Sequence, residues 1–192
     1  MTNITRILVL GLFLAFANVV AWADDAQDDA DTVALFKNAG ASGKFFSDSY
    51  GYAVFPTIGK GGLGIGGAYG EGRVYEQGKR IGEASMTKLS VGLQAGGAGY
   101  SEIIFFKDKR ALTEFTSGNF EFGAGAQAVA ITAAATADTG TTGSAAGASG
   151  GKKDATTAGG YHKGMAVFTI AKGGLMVDAS LNGQKFKYKA DK

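Results

Sequence analysis

The chain has 192 residues, no cysteine and a formal net charge of +2, from 19 basic and 17 acidic side chains. This near-neutral balance argues against a nucleic-acid-binding protein, because such proteins usually present a strongly basic face. Without cysteine the chain can form no disulfide, zinc–thiolate site, cysteine nucleophile or lipid-modified cysteine anchor.

Residues 1–23 have the features of a secretory signal peptide. A leader with one charge, Arg6, precedes an apolar run over residues 7–20, and Ala-Trp-Ala at 21–23 supplies the small residues of a cleavage site. The apolar run is shorter than the roughly 20 residues that a membrane span needs. We therefore expect cleavage, with an uncleaved anchor as the alternative, and a mature chain of residues 24–192 that is periplasmic or secreted.

Two short helices are predicted after the leader, over residues 32–37 and 43–49, and one broken helix is the alternative. The apolar residues at helical spacing are Val33, Leu35, Phe36, Phe45 and Phe46. Asp31 or Thr32 is a suitable N-cap for the first helix. Both helices are expected to pack over a sheet.

From Gly51 onward the periodicity changes to two, which predicts β-strands. Large residues alternate with small ones from Leu63 to Tyr75, where glycine or alanine stands at 64, 66, 68, 70 and 72. Glycine weakens a strand and offers no packing surface, so this pattern requires a closely packed layer or a sharp bend. We predict an α+β fold of mainly antiparallel, curved strands in a barrel-like or sandwich arrangement.

The second half of the chain continues this pattern. The apolar run Ile103–Phe106 predicts a strand buried on both faces, and residues 110–116 predict a mid-chain helix. Residues 136–160 contain only Thr, Ala, Gly, Ser and charged residues, so we predict a flexible loop there. Asn-Gly at 182–183 predicts a hairpin turn before a final strand. The mature chain is therefore expected to form one domain.

Two motifs associated with cofactors or catalysis are explained by composition. Residues 62–67 fit G-x-G-x-x-G, but the residues that follow keep strand alternation instead of opening a helix. Residues 147–151 fit the G-x-S-x-G pattern but lie in the predicted flexible loop. The single histidine, His162, is expected to be an exposed loop residue. We predict no cofactor, no metal site and no catalytic site.

Lys60 and Lys172 are the main candidates for ligand binding. They occur in the related segments AVFPTIGKGGL and AVFTIAKGGL, where each lysine is followed by two glycines. We predict a turn at each site, with the ammonium group free to meet an anion such as phosphate. The alternative is a polar turn with no binding role. Lys37 and Lys44, on the predicted helices, are either binding residues or part of a solvated surface.

Three blocks of the sequence resemble the SYLF domain family. They are SYGYAVFPTIGKGGLGIGGAYGEGRVY, SVGLQAGGAGYSEIIFFKDKRALTEFTSGNFEFGAGAQAVA and KGGLMVDASLNGQKFKY. The resemblance covers residues 33–188 and implies a non-enzymatic, lipid-binding domain, related to those of eukaryotic endocytic and actin-patch proteins. It places Lys60 in the family's glycine-rich block and Lys172 in its closing block, with Lys37 and Lys44 as further lipid-binding candidates.

The eukaryotic members imply phosphoinositide-like headgroups as the ligand. An exported bacterial protein would not ordinarily meet those lipids, so we expect peripheral binding to another anionic phospholipid of the cell envelope. The main alternative is a structural or interaction module with a protein partner in the envelope and no dependence on lipid. No nucleic-acid partner is expected.

Overall fold

The computed structural model describes residues 26–63, 65–91, 98–123, 126, 128–131, 160–172 and 181–192. The helices are α1 (residues 26–38), α2 (Phe45–Asp48) and α3 (Lys109–Phe115). The strands are β1 (Gly51–Leu63), β2 (Ile65–Glu76), β3 (Lys79–Val91), β4 (Ala98–Phe106), β5 (Asn119–Glu121), β6 (Val129–Ile131), β7 (Met165–Lys172) and β8 (Gln184–Ala190).

The described strands form one sheet in the order β5-β8-β3-β2-β1-β4-β7-β6. Every neighbouring pair is antiparallel except β6 and β7, which run parallel. The β2–β3 hairpin turns at Gln77 and Gly78, both with positive φ, as the tight turn of a twisted hairpin requires. The α+β class and the mainly antiparallel sheet predicted from the sequence are confirmed.

The sheet curls until distant strands face one another. Nε2 of Gln184, on β8, donates a hydrogen bond of 3.1 Å to Oε2 of Glu102, on β4, although three strands lie between β8 and β4. In a flat sheet these two strands would be roughly 19 Å apart. Residues 122–128 connect the two edge strands, but no described ladder joins β5 to β6. The predicted curvature is confirmed, in the form of one open, curled sheet.

The inner face of the curled sheet, which carries Phe55 and Ile104, encloses the larger apolar core. Helix α3 packs into this core through Leu112 and Phe115, and the Phe115 ring lies 5.2 Å from that of Phe186 on β8. The helix begins at Asp108, whose side chain accepts a hydrogen bond from the Ala111 amide, as an N-cap does. The predicted mid-chain helix is therefore confirmed.

The outer face of the sheet is covered by α1 and α2. The ring of Phe45 lies 5.5 Å from that of Phe105 and 5.0 Å from that of Phe168, both on the outer face. Residues 103–106 of β4 are fully buried because α3 and the inner core cover one face while α1 and α2 cover the other. The prediction of a strand buried on both faces is confirmed.

Helix α1 is fixed to the sheet by a buried ion pair. Nη1 of Arg73 lies 3.1 Å from Oδ1 of Asp29, and the Tyr75 hydroxyl donates a hydrogen bond of 2.7 Å to Oδ2 of Asp29. The helix already includes residue 26, so the predicted N-cap at Asp31 or Thr32 is wrong. The acidic residues look like a polar leader to a helix, but Asp29 has a partner on β2 that local sequence cannot reveal.

The small residues of β2 make room for the inner core. A methyl group on Gly70 would lie 2.5 Å from Cγ1 of Ile58, and one on Gly72 would lie 2.4 Å from the Val54 carbonyl oxygen. Any larger residue would therefore push β1 and β2 apart. The glycine pattern therefore does mark close contact at these two positions, but the contact is with the neighbouring strand β1 and not with a separate layer.

Several sequence predictions fall outside the described residues. They are the signal peptide at 1–23, residues 136–159 of the predicted loop and the G-x-S-x-G motif at 147–151. The predicted Asn-Gly turn at 182–183 is described, and Gly183 has a φ of 76°, as such a turn requires.

Candidate functional site

One end of the sheet is rich in glycine and lysine. We call it the glycine-rich end and define it as residues 59–62 of β1 together with the residues in register with them on the other strands. The latter are residues 66–69, 87–90, 98–99, 121, 172 and 184–185. Its described charged residues are Lys60, Lys88, Lys172, Lys185 and Glu121. The one acid is paired, because Oε2 of Glu121 lies 3.6 Å from Nζ of Lys185.

Both predicted lysines lie at this end, and both are in strands; the residues after Lys172, where the second turn is predicted, lie outside the described part of the chain. Lys60 is inside β1, and Lys172 is the last residue of β7. The two glycines after Lys60 stay extended, because Gly61 pairs with Gly67 and Gly62 pairs with Gly66. The predicted turn at Lys60 is therefore wrong: glycine permits a turn but does not impose one when a partner strand completes the ladder.

The two lysines project from opposite faces of the sheet. Lys172 is in register with Gly99, and Gly99 is in register with Gly59, the neighbour of Lys60. Side chains alternate along a strand, so Lys60 shares the inner face with Ile58 while Lys172 lies on the outer face. Nζ of Lys172 donates a hydrogen bond of 2.6 Å to Oγ1 of Thr57, also on the outer face. The two ammonium groups thus share one end of the sheet but not one face.

The inner-face neighbour of Lys60 is Lys88, which the sequence analysis did not single out. Ala68 on β2 is in register with Lys60 on one side and Lys88 on the other. Two strand spacings separate the lysines, or roughly 10 Å. Both are partly buried at the mouth of the curled sheet. The alternation that places Lys88 on the same face as Met86 was visible in the sequence, but the β2–β3 register that brings it beside Lys60 was not.

Below this lysine pair the interior of the sheet contains a buried carboxyl group. Glu102 is fully buried, and desolvation raises its pKa to about 7, against the opposing effects of the Gln184 hydrogen bond and the Lys88 charge. Among the described residues, its Oε1 atom and Oγ1 of Thr169, its register partner on β7, have no hydrogen-bond partner. Chemically, this group can gain or lose a proton near neutral pH.

Lys37 and Lys44 lie at the other end of the outer face. Their ammonium groups sit 5.3 Å from the Phe46 ring centroid and 5.4 Å from the Phe45 ring centroid, respectively. Both rings pack on Phe105, which is six residues along β4 from Gly99 and therefore roughly 20 Å from the level of Lys172. Both lysines are exposed, as predicted, but the structure does not bring them together with the glycine-rich end.

A cavity of about 120 Å³ lies between α3, β5 and β7. Its rim contains two carboxylates and His162, a combination that acid–base catalysis would need. However, Glu114 pairs with Arg110 at 3.3 Å and Glu121 pairs with Lys185 at 3.6 Å, and all of these side chains are exposed. Each carboxylate therefore forms an ion pair with a basic residue at the protein surface.

His162 is exposed, as the sequence predicts, and residues 62–63 and 65–67 belong to the strands β1 and β2 instead of the start of a helix. Among the described residues, no three His, Cys, Asp or Glu side chains gather in a way that could hold a metal ion. None of the described helices combines the length and the hydrophobicity needed to cross a bilayer.

Comparison with known proteins gives two matches. A family model described as Ysc84, Las17-binding protein actin regulator, matches residues 87–192, which is more than half of the chain. The chain is also similar to Beta cell expansion factor A of Aeromonas veronii, with 28% identity over 167 residues, or 85% of this chain and 55% of that protein. The chain therefore spans about half the length of this curated relative. The family match includes Lys88 and Lys172.

Proposed function

Because the chain belongs to the Ysc84 (SYLF) family, a family of non-enzymatic domains, we propose that it binds anionic phospholipid of the cell envelope as a peripheral, non-enzymatic protein. The observation that carries the proposal is the charge at the glycine-rich end: four lysines and one acid among its described side chains, with the acid paired to a lysine. Each lysine near an anionic bilayer contributes about 1 kcal/mol, so this end would support weak, reversible adhesion.

The proposed location is the periplasm or the cell exterior, with the protein held at a membrane surface. Signal-peptide cleavage would release the mature chain on that side. In this location phosphatidylglycerol or cardiolipin, rather than a phosphoinositide, would provide the negative charge.

Vesicle flotation tests the proposal. The purified chain should float with vesicles of equal parts phosphatidylglycerol and phosphatidylcholine at 50 mM NaCl. It should not float with vesicles of pure phosphatidylcholine. At 300 mM NaCl it should detach from the anionic vesicles, because salt screens the attraction. Flotation that is absent, or equal for both lipid mixtures, would refute electrostatic lipid binding.

A pair of matched variants tests the site. Changing Lys60 and Lys172 together to Ala should weaken vesicle binding roughly 5- to 30-fold, the loss expected for one to two membrane-facing lysines, and should leave the melting temperature unchanged. Changing Lys107 and Lys109 to Ala removes the same charge near α3 and serves as the control. Equal binding by both variants would leave Lys60 and Lys172 as ordinary polar positions.

A protein partner is the second candidate function. The matching family is described by a protein that it binds, Las17, and by actin regulation. Crosslinking in cells that recovers one stoichiometric envelope protein, together with vesicle binding that does not depend on headgroup charge, would favour this function over lipid binding.

A further inference from the structure

Four glycines form a patch without side chains on the outer face of the glycine-rich end. We call Gly59, Gly61, Gly67 and Gly99 the outer glycine patch. Gly59 is in register with Gly99, and Gly61 with Gly67, so the patch extends over the adjacent strands β4, β1 and β2. Alternation places all four on the outer face, beyond the part of the sheet that α1 and α2 cover.

The described core does not require these glycines. A methyl group on Gly59 or Gly61 would have no described atom within 4 Å, and on Gly67 or Gly99 it would make only ordinary contacts, at 3.4 Å or more. The inner-face glycine Gly72 is the opposite case, because a methyl group there would overlap β1. Each glycine in a strand costs roughly 0.5–1 kcal/mol relative to alanine, so four adjacent ones without a packing reason suggest close approach of a binding partner to the backbone.

Exposed apolar side chains border the patch on one side. Leu89 is 84% exposed and is in register with Gly67, and Tyr69 is 52% exposed and is in register with Gly59. They are two of the three large hydrophobic side chains that are exposed in the described part of the chain; the third is Leu35, 46% exposed, on α1. Two large exposed apolar residues beside bare backbone are typical of a binding surface.

Positive charge borders the patch on its other side. Lys172 is in register with Gly99 at the β7 edge of the patch. Across the sheet, Lys185 occupies the same register level beyond Tyr69 and Thr87, but its ammonium group is paired with Glu121 at 3.6 Å, so Lys172 supplies the unneutralised charge beside the patch. On β2, the nearest described carboxylate of the outer face belongs to Glu71. It lies two residues from Tyr69, farther from the glycine-rich end, and accepts a hydrogen bond of 2.6 Å from the Tyr69 hydroxyl.

We propose that the outer glycine patch is the surface that lies against an anionic bilayer, with Leu89 and Tyr69 inserted among the lipid headgroups and Lys172 beside a phosphate. This inference rests on the proposed function and assigns it to one face. Aliphatic and tyrosine side chains next to lysine suit the boundary between headgroups and acyl chains, and bare backbone lets headgroups reach the sheet. The charge bordering the patch favours an anionic bilayer over a neutral apolar partner.

A fluorescent probe tests the orientation directly, because the chain has no cysteine of its own. Leu89→Cys and Leu35→Cys are each labelled with an environment-sensitive fluorophore and mixed with vesicles of equal parts phosphatidylglycerol and phosphatidylcholine. We expect a blue shift and at least a twofold rise in emission for the label at position 89, and no change for the label at position 35.

The outcomes separate this inference from the function that it rests on. If the labelled proteins float with the vesicles but the position 89 label does not respond, or both labels respond equally, the patch is not the membrane surface although lipid binding stands. If neither protein floats, lipid binding fails and this inference fails with it.

Charge placed in the patch provides a second test. Gly61→Glu should weaken flotation at least tenfold, because a carboxylate would meet the anionic headgroups, whereas Gly61→Ala should retain most of the binding. Gly40→Glu introduces the same charge between α1 and α2, away from the glycine-rich end, at a position where the described residues leave open space, and should bind like the unchanged protein. Equal binding by both glutamate variants, each with an unchanged melting temperature, would overturn the assignment.

Discussion

At the scale of single residues, Glu102 is the most unusual group in the described structure. It is a fully buried carboxyl group that, within the part of the chain that the structure describes, accepts a hydrogen bond from Gln184 at one oxygen and none at the other. Burial of a charge without full compensation favours the protonated acid, because a neutral carboxyl group costs less to desolvate. The protein therefore takes up a proton here when it folds near neutral pH.

This uptake predicts that stability falls as pH rises. The pKa of Glu102 is raised from 4.5 to about 7 in the folded state, so its stabilising protonation is fully present below pH 4.5 and is lost as pH rises through about 7. At about 1.4 kcal/mol per pH unit between these two values, the total loss is about 3–4 kcal/mol. Urea unfolding at pH 5, 6, 7 and 8 measures it.

Glu102→Gln is the control for this prediction, since glutamine is always neutral and has nearly the same shape. Its free energy of unfolding should change less between pH 5 and pH 8 than that of the unchanged protein. Parallel pH profiles for the two proteins would show that Glu102 does not titrate in this range.

At the scale of elements, the sheet contains two kinds of glycine, which one substitution distinguishes. Gly72→Ala should destabilise the protein by about 1–3 kcal/mol, because its methyl group would overlap the Val54 carbonyl oxygen and the Phe55 ring. Gly59→Ala should be neutral or stabilise by up to about 1 kcal/mol, because the described structure leaves room for the methyl group. Chemical denaturation of both variants measures the difference, and an equal loss of stability would contradict the division into inner and outer glycines.

The attachment of α1 depends on a second device, the ion pair between Asp29 and Arg73. Their side chains are 5% and 10% exposed. Asp29→Ala would leave the Arg73 guanidinium buried without this partner, so we expect a loss of about 3 kcal/mol in the free energy of unfolding. The double variant Asp29→Leu with Arg73→Leu should lose less than Asp29→Ala, because it removes both charges. A double variant that is less stable than Asp29→Ala would show that the pair itself stabilises the fold.

At the scale of the whole molecule, the lysines identified from the sequence occupy two ends of the sheet. If the glycine-rich end meets the membrane, Lys172→Ala should weaken vesicle binding about fivefold, corresponding to about 1 kcal/mol. The double variant Lys37→Ala with Lys44→Ala should bind nearly as well as the unchanged protein, because both residues lie roughly 20 Å away along the sheet. Flotation at 50 mM NaCl compares them, and a larger loss in the double variant would instead place the helices at the membrane.

Local pattern predicted the elements well where one periodicity ran without interruption. The strand at Ile103–Phe106, the helix after Asp108 and the Asn-Gly turn all follow from residues within a few positions of each other. The N-terminal helix was harder, because Asp29 is fixed by a residue 44 positions away. The candidate site was predicted in part: Lys60 and Lys172 lie at one end of the sheet, whereas Lys88 and the outer glycine patch depend on register between strands.

The related AVF segments separate what the local sequence determines from what only the tertiary structure determines. Both segments put phenylalanine, isoleucine and lysine on one face of their strand, and in β1 a bulge between Phe55 and Ile58 absorbs the extra Pro56 and preserves this relation. That relation is local, so the sequence determined it. Only the tertiary structure decided that the Lys60 segment faces the inner core and the Lys172 segment faces the helices, because alternation defines two faces without specifying which one long-range packing buries.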